Sequence, residues 1–341
     1  MEIVILSGRR AEKFTKEVVN YLKKKSNGLQ VKEVPADVMN FRNGELNIKL
    51  SGSVRGDDVI IFQQFTQPGA EMHEDLFELM LLCDTAARAA ANSITLCVPF
   101  IPYLRQDRKA EGREPISAKA LFNLMQKACS GKLSRIVTFD MHNPAEQGFV
   151  DLPLDNIPAM PVFADFFVRQ SWFDQKNTVV LAPDAGGAKK AEKLSGCLGL
   201  SNGVAIVYKE RKKGEMAKAK SIIGNVKDKQ VLIIDDMIDS GGTMMEAADL
   251  AREEGAKEIH IAGTHGIFSG ESVREFPKRK IKVIATDCIP KDEDYTKTHQ
   301  GWLSILSVAE YTAEVIYENA VGGSVSSVIE RQLRRCCPTC R

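Results

Sequence analysis

The chain has 341 residues, 44% hydrophobic and 27% charged, with a formal net charge of +1. This is an ordinary soluble composition, long enough for two domains. The charge balance implies no nucleic-acid partner, and no apolar run reaches the roughly 20 residues that cross a bilayer. Met1–Gly8 has no basic leader and reads as a first core strand, not a signal peptide. Cys83, Cys97, Cys129, Cys197 and Cys288 stand in apolar settings, as buried thiols do in a reducing compartment, so the cytoplasm is the expected location.

Apolar runs and amphipathic runs alternate from the start. Ile3–Leu6 predicts a strand, Ala11–Lys24 a helix, Val59–Phe62 a strand and Glu71–Ala91 a helix. Ser93–Val98 and Arg135–Phe139 follow as strands, with the helix Ser117–Cys129 between them. The Pro-rich join Leu152–Pro161 reads as a domain boundary. Beyond it come the helix Pro161–Gln170, the strand Thr178–Ala182, the helix Ala188–Cys197 and the strands Gly203–Val207 and Val231–Ile234. The helix Met244–Glu254, closed by Gly255, precedes the strands Glu258–Ala262 and Lys282–Thr286. Strand–helix alternation twice over predicts two α/β domains, each a mainly parallel sheet flanked by helices.

Polar clusters fall where these strands end. Pro99–Ser117 packs Arg105, Arg108, Lys109 and Arg113 between Pro and Gly residues, as an exposed loop whose guanidinium forks suit phosphate oxygens. Asp140 and His142 follow the strand Arg135–Phe139, in a position for metal–phosphate contact. Leu181–Lys189 is a strand end, an acid (Asp184) and a Gly pair that lead into a helix bearing Lys189 and Lys190, the pattern of an anion site. Lys209–Met216 is a basic loop able to close over anionic substrates. Val231–Thr243 carries the strongest signal. Asp235 and Asp236 suit the vicinal hydroxyls of a sugar, or a metal beside them. Asp239, Ser240, Gly241, Gly242 and Thr243 open a helix with free amides for a phosphate. Together they specify a sugar phosphate.

In this order the segments resemble the ribose-phosphate pyrophosphokinase (PRPP synthetase) family. Tyr103-Leu-Arg-Gln-Asp-Arg-Lys109 is close to that family's Y-x-R-Q-D-R/K-K signature, Phe41-Arg-Asn-Gly-Glu45 to its F-S-D/N-G/Q-E segment, and Asp140-Met-His142 to its D-L-H. The resemblance implies two tandem type I phosphoribosyltransferase-like domains, at residues 1–157 and 158–326. It implies that Phe41, Asn43, Glu45, Arg105, Gln106, Asp107, Lys109 and His142 bind ATP, with Phe41–Glu45 reaching a neighbouring subunit. Mg²⁺ would be held through His142 and Asp184, with Asp140, Asp151 and Asp155 as secondary candidates. Asp184, Ala185, Gly186 and Gly187 would form the pyrophosphate loop, and Asp235, Asp236 and Asp239–Thr243 the ribose 5-phosphate site. Lys209 and Arg211 fall on the K-x-R pair of the catalytic loop.

The implied reaction transfers the diphosphoryl group of ATP to C1 of ribose 5-phosphate, in a homo-oligomer that is at least a dimer and compatible with a hexamer, with neither nucleic acid nor membrane as partner. The rival readings are the same reaction on a larger ribose 5-phosphate derivative, a PRPP-consuming phosphoribosyltransferase, and a non-catalytic regulatory homologue. Residues 327–341, with Arg331, Arg334, Arg335, Arg341 and the cysteines Cys336, Cys337 and Cys340, read as a mobile tail past the end of the resemblance.

Overall fold

The computed structural model describes residues 2–25, 28–66, 69–210 and 218–336. The chain divides into two compact units. Unit 1 holds 1–158 with the returning segments 288–290 and 308–328, and unit 2 holds 159–287, 291–307 and the end of the chain. The linear division expected at 157/158 therefore omits two returns to unit 1.

Unit 1 runs β1 (Glu2–Ser7), α1 (Glu12–Lys25), β2 (Gln30–Glu33), β3 (Ala36–Asn40), β4 (Leu46–Leu50), β5 (Asp58–Phe62), α2 (Ala70–Arg88), β6 (Ser93–Cys97), α3 (Ser117–Ala128), β7 (Leu133–Phe139) and β8 (Leu154–Ile157). Six of these strands form a parallel sheet in the order β2-β1-β5-β6-β7-β8. Strands buried on both faces read as unbroken apolar runs, and β1 and β5 do so. Helix α1 buries Phe14, Thr15, Val18, Val19 and Leu22, a single stripe at helical spacing. Strands β3 and β4 pair antiparallel as a separate ribbon. Strand β8 lies inside the segment read as a linker. It pairs with β7 from Ile136↔Leu154 to Phe139↔Ile157, and its flanking prolines sit outside the paired residues.

Unit 2 runs α4 (Met160–Val168), β9 (Thr178–Ala182), α5 (Ala188–Cys197), β10 (Val204–Glu210), β11 (Lys218–Ile223), β12 (Gln230–Ile238), α6 (Gly242–Glu253), β13 (Glu258–Gly266), α7 (Ser272–Lys278), β14 (Lys282–Thr286), α8 (Glu293–His299) and β15 (Leu303–Leu306). The order is β11-β10-β9-β12-β13-β14-β15, parallel except for the β10–β11 hairpin. Its core includes Val179, Leu181, Val231, Ile233, Ile261, Phe276 and Val283. Full burial of one such side chain stabilises by about 1.5–3 kcal/mol.

The chain then returns to unit 1 as α9 (Ala309–Ala320), which packs on α1 and buries Tyr311, Val315 and Ile316. Tyr311 meets the edge of Phe139 at 5.9 Å. The last element, α10 (Val325–Cys336), overturns the unstructured reading for residues 327–336. Val325, Val328, Ile329 and Leu333 recur at helical spacing beneath the arginines that dominate the composition; Cys337 and Cys340 lie outside the described residues. Among the described residues no helix is long and apolar enough to cross a membrane.

Candidate functional site

Strand order places the ligand loops of unit 2. The chain goes from β9 to β10 on one side and later to β12 on the other, so the sheet changes direction between β9 and β12. Open parallel sheets bind ligands beyond the carboxyl ends of the strands at such a point. Both phosphate-type loops start there.

After β9, whose residues are all buried, Asp184 is extended and its Oδ1 accepts from the Gly187 amide at 3.1 Å. The side chain thereby shapes the Ala185–Gly187 turn at the entry to α5 and keeps its second oxygen for another partner. Ala185 and Gly186 are exposed. A short anion loop is what this geometry offers.

Strand β12 runs four residues further than the expected Val231–Ile234 and takes Asp235 and Asp236 into the ladder, with Asp235 opposite Gly263 and Met237 opposite His265. Asp236 is buried and Asp235 partly so. Lys190, from the first turn of α5, places its Nζ 3.1 Å from Asp236 Oδ1 and 3.6 Å from Asp235 Oδ1. The Lys190 ammonium thus offsets part of the charge of the acid pair. Burial first, then the hydrogen bond and charge of Asp236, push Asp235 up to about 7, against the pull of Lys190. Below about pH 7 the protonated form of Asp235 is therefore favoured.

The sign of the pH effect follows. A carboxyl whose pKa is raised on folding binds its proton more tightly in the native state. Its stabilising contribution is full below the unfolded value near 4 and is lost as pH rises through about 7. Asp235→Asn should therefore raise the thermal midpoint at pH 8 relative to wild type and change it little at pH 5. A midpoint shift of equal size at both pH values would contradict a shared proton on the pair.

Past Ile238, Asp239 accepts a hydrogen bond from Ser269 Oγ at 2.5 Å. Gly241 caps α6 at φ +75°, and Gly242 and Thr243, both exposed, form its first turn. A Cβ on Gly241 would lie 2.5 Å from Phe276 Cζ, so the loop needs glycine both for its backbone and for the ring beside it. Lys209 closes β10 at an irregularity between Tyr208 and Lys209, opposite Ala219. Arg211 lies outside the described residues.

In unit 1 the expected ATP residues divide by role. Arg105 and Lys109 are exposed on the loop after β6. Gln106 Oε1 accepts from Ser117 Oγ at 2.7 Å, and its carbonyl accepts from the Ala118 amide, so it holds the start of α3. Asp107 accepts from Asn143 at 2.8 Å, which ties the arginine loop to the turn after β7. In that turn Asp140 sits at φ 32°, its amide bonded to Ile157 O, while Asn156 Oδ1 receives the Met141 amide. Strand β8 therefore sets the Asp140–His142 turn, and His142 is exposed.

Of the secondary metal candidates, Asp155 is engaged elsewhere. Its Oδ2 takes Arg135 at 2.8 Å and Asn319 at 3.0 Å, which makes it a tie between β7, β8 and α9. Asp151 is exposed beyond the turn. Among the described residues no group of three or more His, Cys, Asp or Glu side chains is arranged to hold a metal. The Asp184 carboxylate has the chemistry for Mg²⁺, which keeps waters and binds through one or two carboxylates with substrate phosphates. Residues 41–45 are all exposed at the tip of the β3–β4 ribbon, where Phe41 N donates to Glu45 O and Gly44 N to Phe41 O. The sequence reading passed over Arg9, at the head of unit 1 and paired with Glu78; the pair Arg9-Arg10 right after the first strand was the available signal.

Two family profiles match the chain: the N-terminal domain of ribose phosphate pyrophosphokinase over residues 3–129, and the phosphoribosyl transferase domain over residues 163–296. The ribose-phosphate pyrophosphokinase of Campylobacter jejuni is 36% identical over 325 residues, covering 95% of this chain and 98% of that one. That of Corynebacterium efficiens is 38% identical over 308 residues, 89% of this chain and 90% of its own. Among solved structures, phosphoribosylpyrophosphate synthetase from Mycobacterium smegmatis superimposes with a TM-score of 0.82 at 32% identity, over 95% of this chain and all of that one.

Proposed function

The chain belongs to the ribose-phosphate pyrophosphokinase family, and from that membership we propose that it transfers the β,γ-diphosphoryl group of ATP to the C1 hydroxyl of ribose 5-phosphate, giving PRPP and AMP. The observation that carries the reading is the pair of loops at the β9/β12 switch point with the acid pair beside them, within a family match that spans nearly the whole chain.

In this reading the amides and hydroxyls of Asp239–Thr243 hold the 5-phosphate at the N-terminus of α6. Asp235 and Asp236 accept the 2- and 3-hydroxyls, and Lys190 keeps the buried acid charged until they arrive. The C1 oxygen attacks the β-phosphorus, the bond from that phosphorus to the bridging α,β-oxygen breaks, AMP leaves, and the hydroxyl proton passes to solvent. Alignment and charge neutralisation govern such transfers. Arg105 and Lys109 bind the ATP phosphates, while Gln106 and Asp107 set the loop that presents them. Lys209 and Arg211 offset charge that grows on the diphosphoryl oxygens. Mg²⁺ bound with ATP, through Asp184 and His142, would neutralise the phosphates. Phe41, Asn43 and Glu45 contact the adenine base of a neighbouring copy, so the active form is a homo-oligomer.

Incubation with ATP, Mg²⁺ and ribose 5-phosphate, followed by mass analysis, should give AMP and PRPP in equal amounts without an added base. PRPP consumption that depends on a base, with ATP left intact, would overturn the reading in favour of a phosphoribosyltransferase.

A further inference from the structure

Among the described residues strands β3 and β4 make no backbone pairs with the six-stranded sheet, and a two-stranded hairpin by itself is marginal in water. Side chains must therefore set the direction of its exposed tip. The base of that tip is Asn40, the last residue of β3. Arg9 Nη1 donates to Asn40 Oδ1 at 3.0 Å and Nη2 to Glu74 Oε1 at 3.0 Å, while Asn40 Nδ2 donates to the same Glu74 oxygen at 2.9 Å. On its other edge, Arg9 Nε and the Arg9 amide reach the two oxygens of Glu78, each at 2.7 Å. The Glu78 side chain is fully buried. One planar guanidinium thus joins the loop after β1, helix α2 and the ribbon, with a fork that lysine lacks.

The place is informative as well. In unit 1 the strand order changes direction between β1 and β5, where an open sheet would take a ligand. Here the chain fills it: the Glu78 carboxylate lies on the Arg9 amide, and a Cβ on Gly8 would collide with the Gln63 side chain. An internal anion occupies the position that the two loops of unit 2 keep for phosphate, and its counter-ion is turned toward the ribbon.

We infer that Arg9 is a positioning residue for nucleotide selection: through Asn40 it fixes the direction in which Phe41–Glu45 meets the base. This rests on the reading of that tip as the base contact. Removing Arg9 outright would strand the buried Glu78 charge and weaken the fold, so Asn40→Ala is the cleaner variant, because it leaves the Arg9–Glu78 pair whole. Steady-state kinetics on the full chain should show the KM for ATP raised about three- to tenfold, the cost of ordering one or two released side chains on binding. The preference for ATP over GTP should fall in parallel, with the KM for ribose 5-phosphate and the thermal midpoint unchanged. Arg9→Lys should show the same rise in the KM for ATP and the same loss of preference for ATP over GTP.

Phe41→Ala separates the two levels of the argument. A raised ATP KM in Phe41→Ala with wild-type values in Asn40→Ala overturns the role of Arg9 and leaves the tip as base contact. Wild-type values in both overturn the base contact, and the positioning role with it. An equal rise in both substrate KM values with a lowered midpoint in Asn40→Ala would mark Arg9 as merely structural, and also overturns the inference.

Discussion

Lys209→Ala lowers turnover by about two to three orders of magnitude and leaves both KM values within a few-fold, the expected result if the side chain acts on charge that develops in the transition state. Groups of that kind are worth roughly 3–4 kcal/mol of barrier, and an interaction made only in the transition state appears in kcat more than in KM. The local structure favours a large effect. Lys209 is half-buried near the end of β10, whose first residues pair with β9 and whose later ones, Lys209 among them, pair with β11, so its backbone is held in the sheet beside the loops that start at β9 and β12. Arg211→Ala should behave alike. Single-turnover rates with saturating ATP and ribose 5-phosphate measure the effect directly, and near-normal rates in both variants would remove the pair from the chemistry.

Gly241→Ala is expected to raise the KM for ribose 5-phosphate at least tenfold, to leave that for ATP unchanged, and to lower the thermal midpoint. Two costs combine. An L-residue in the left-handed region is disfavoured by about 1–2 kcal/mol, and Gly241 sits at φ +75°. The added methyl would also lie 2.5 Å from Cζ of Phe276, a fully buried ring that packs against Trp302 at 5.9 Å and has no free direction to move. Overpacking of that kind costs about 1–3 kcal/mol. If the backbone yields instead of the ring, the amides at the start of α6 leave their positions, and each 1.4 kcal/mol of lost phosphate binding is a factor of about ten. Ser240→Ala, which changes a hydroxyl without touching the backbone, is the control. A wild-type KM and midpoint in Gly241→Ala would show that both ring and loop adapt at no cost.

What the sequence made legible was local. The apolar run of β12, the acids after it and the Gly-rich entry to α6 are contiguous, so a strand, a turn and a helix start could be read directly. The length of β12 could not: Asp235 and Asp236 read as loop residues because two acids in a ladder are unusual, and only pairing with Gly263 and His265 keeps them there. Strand β8 was hidden by flanking prolines, and α10 by the three arginines set among its apolar stripe. Contacts with remote partners were not legible. Asp155 read as a secondary metal candidate, and nothing local announced that its Oδ2 takes Arg135 and Asn319, the latter 164 positions away. Arg9 offered only the pair Arg9-Arg10 after the first strand, because its carboxylate partner Glu78 comes 69 positions later.

The return of α9 to unit 1 bears on how the protein is made. Synthesis runs from the N-terminus, and domains ordinarily fold in the order in which they emerge. Here unit 1 begins first yet waits for Tyr311, Val315, Ile316 and Asn319, all of which are translated after nearly the whole of unit 2. Until then α1 lacks the helix that packs on it, and Asp155 lacks one of its two donors. A ribosome that stalls before α9 thus releases a polypeptide with apolar surface uncovered on its leading half, the kind of surface that chaperones and proteases recognise. Full-length translation becomes a condition for a finished N-terminal half, and aborted products identify themselves for removal.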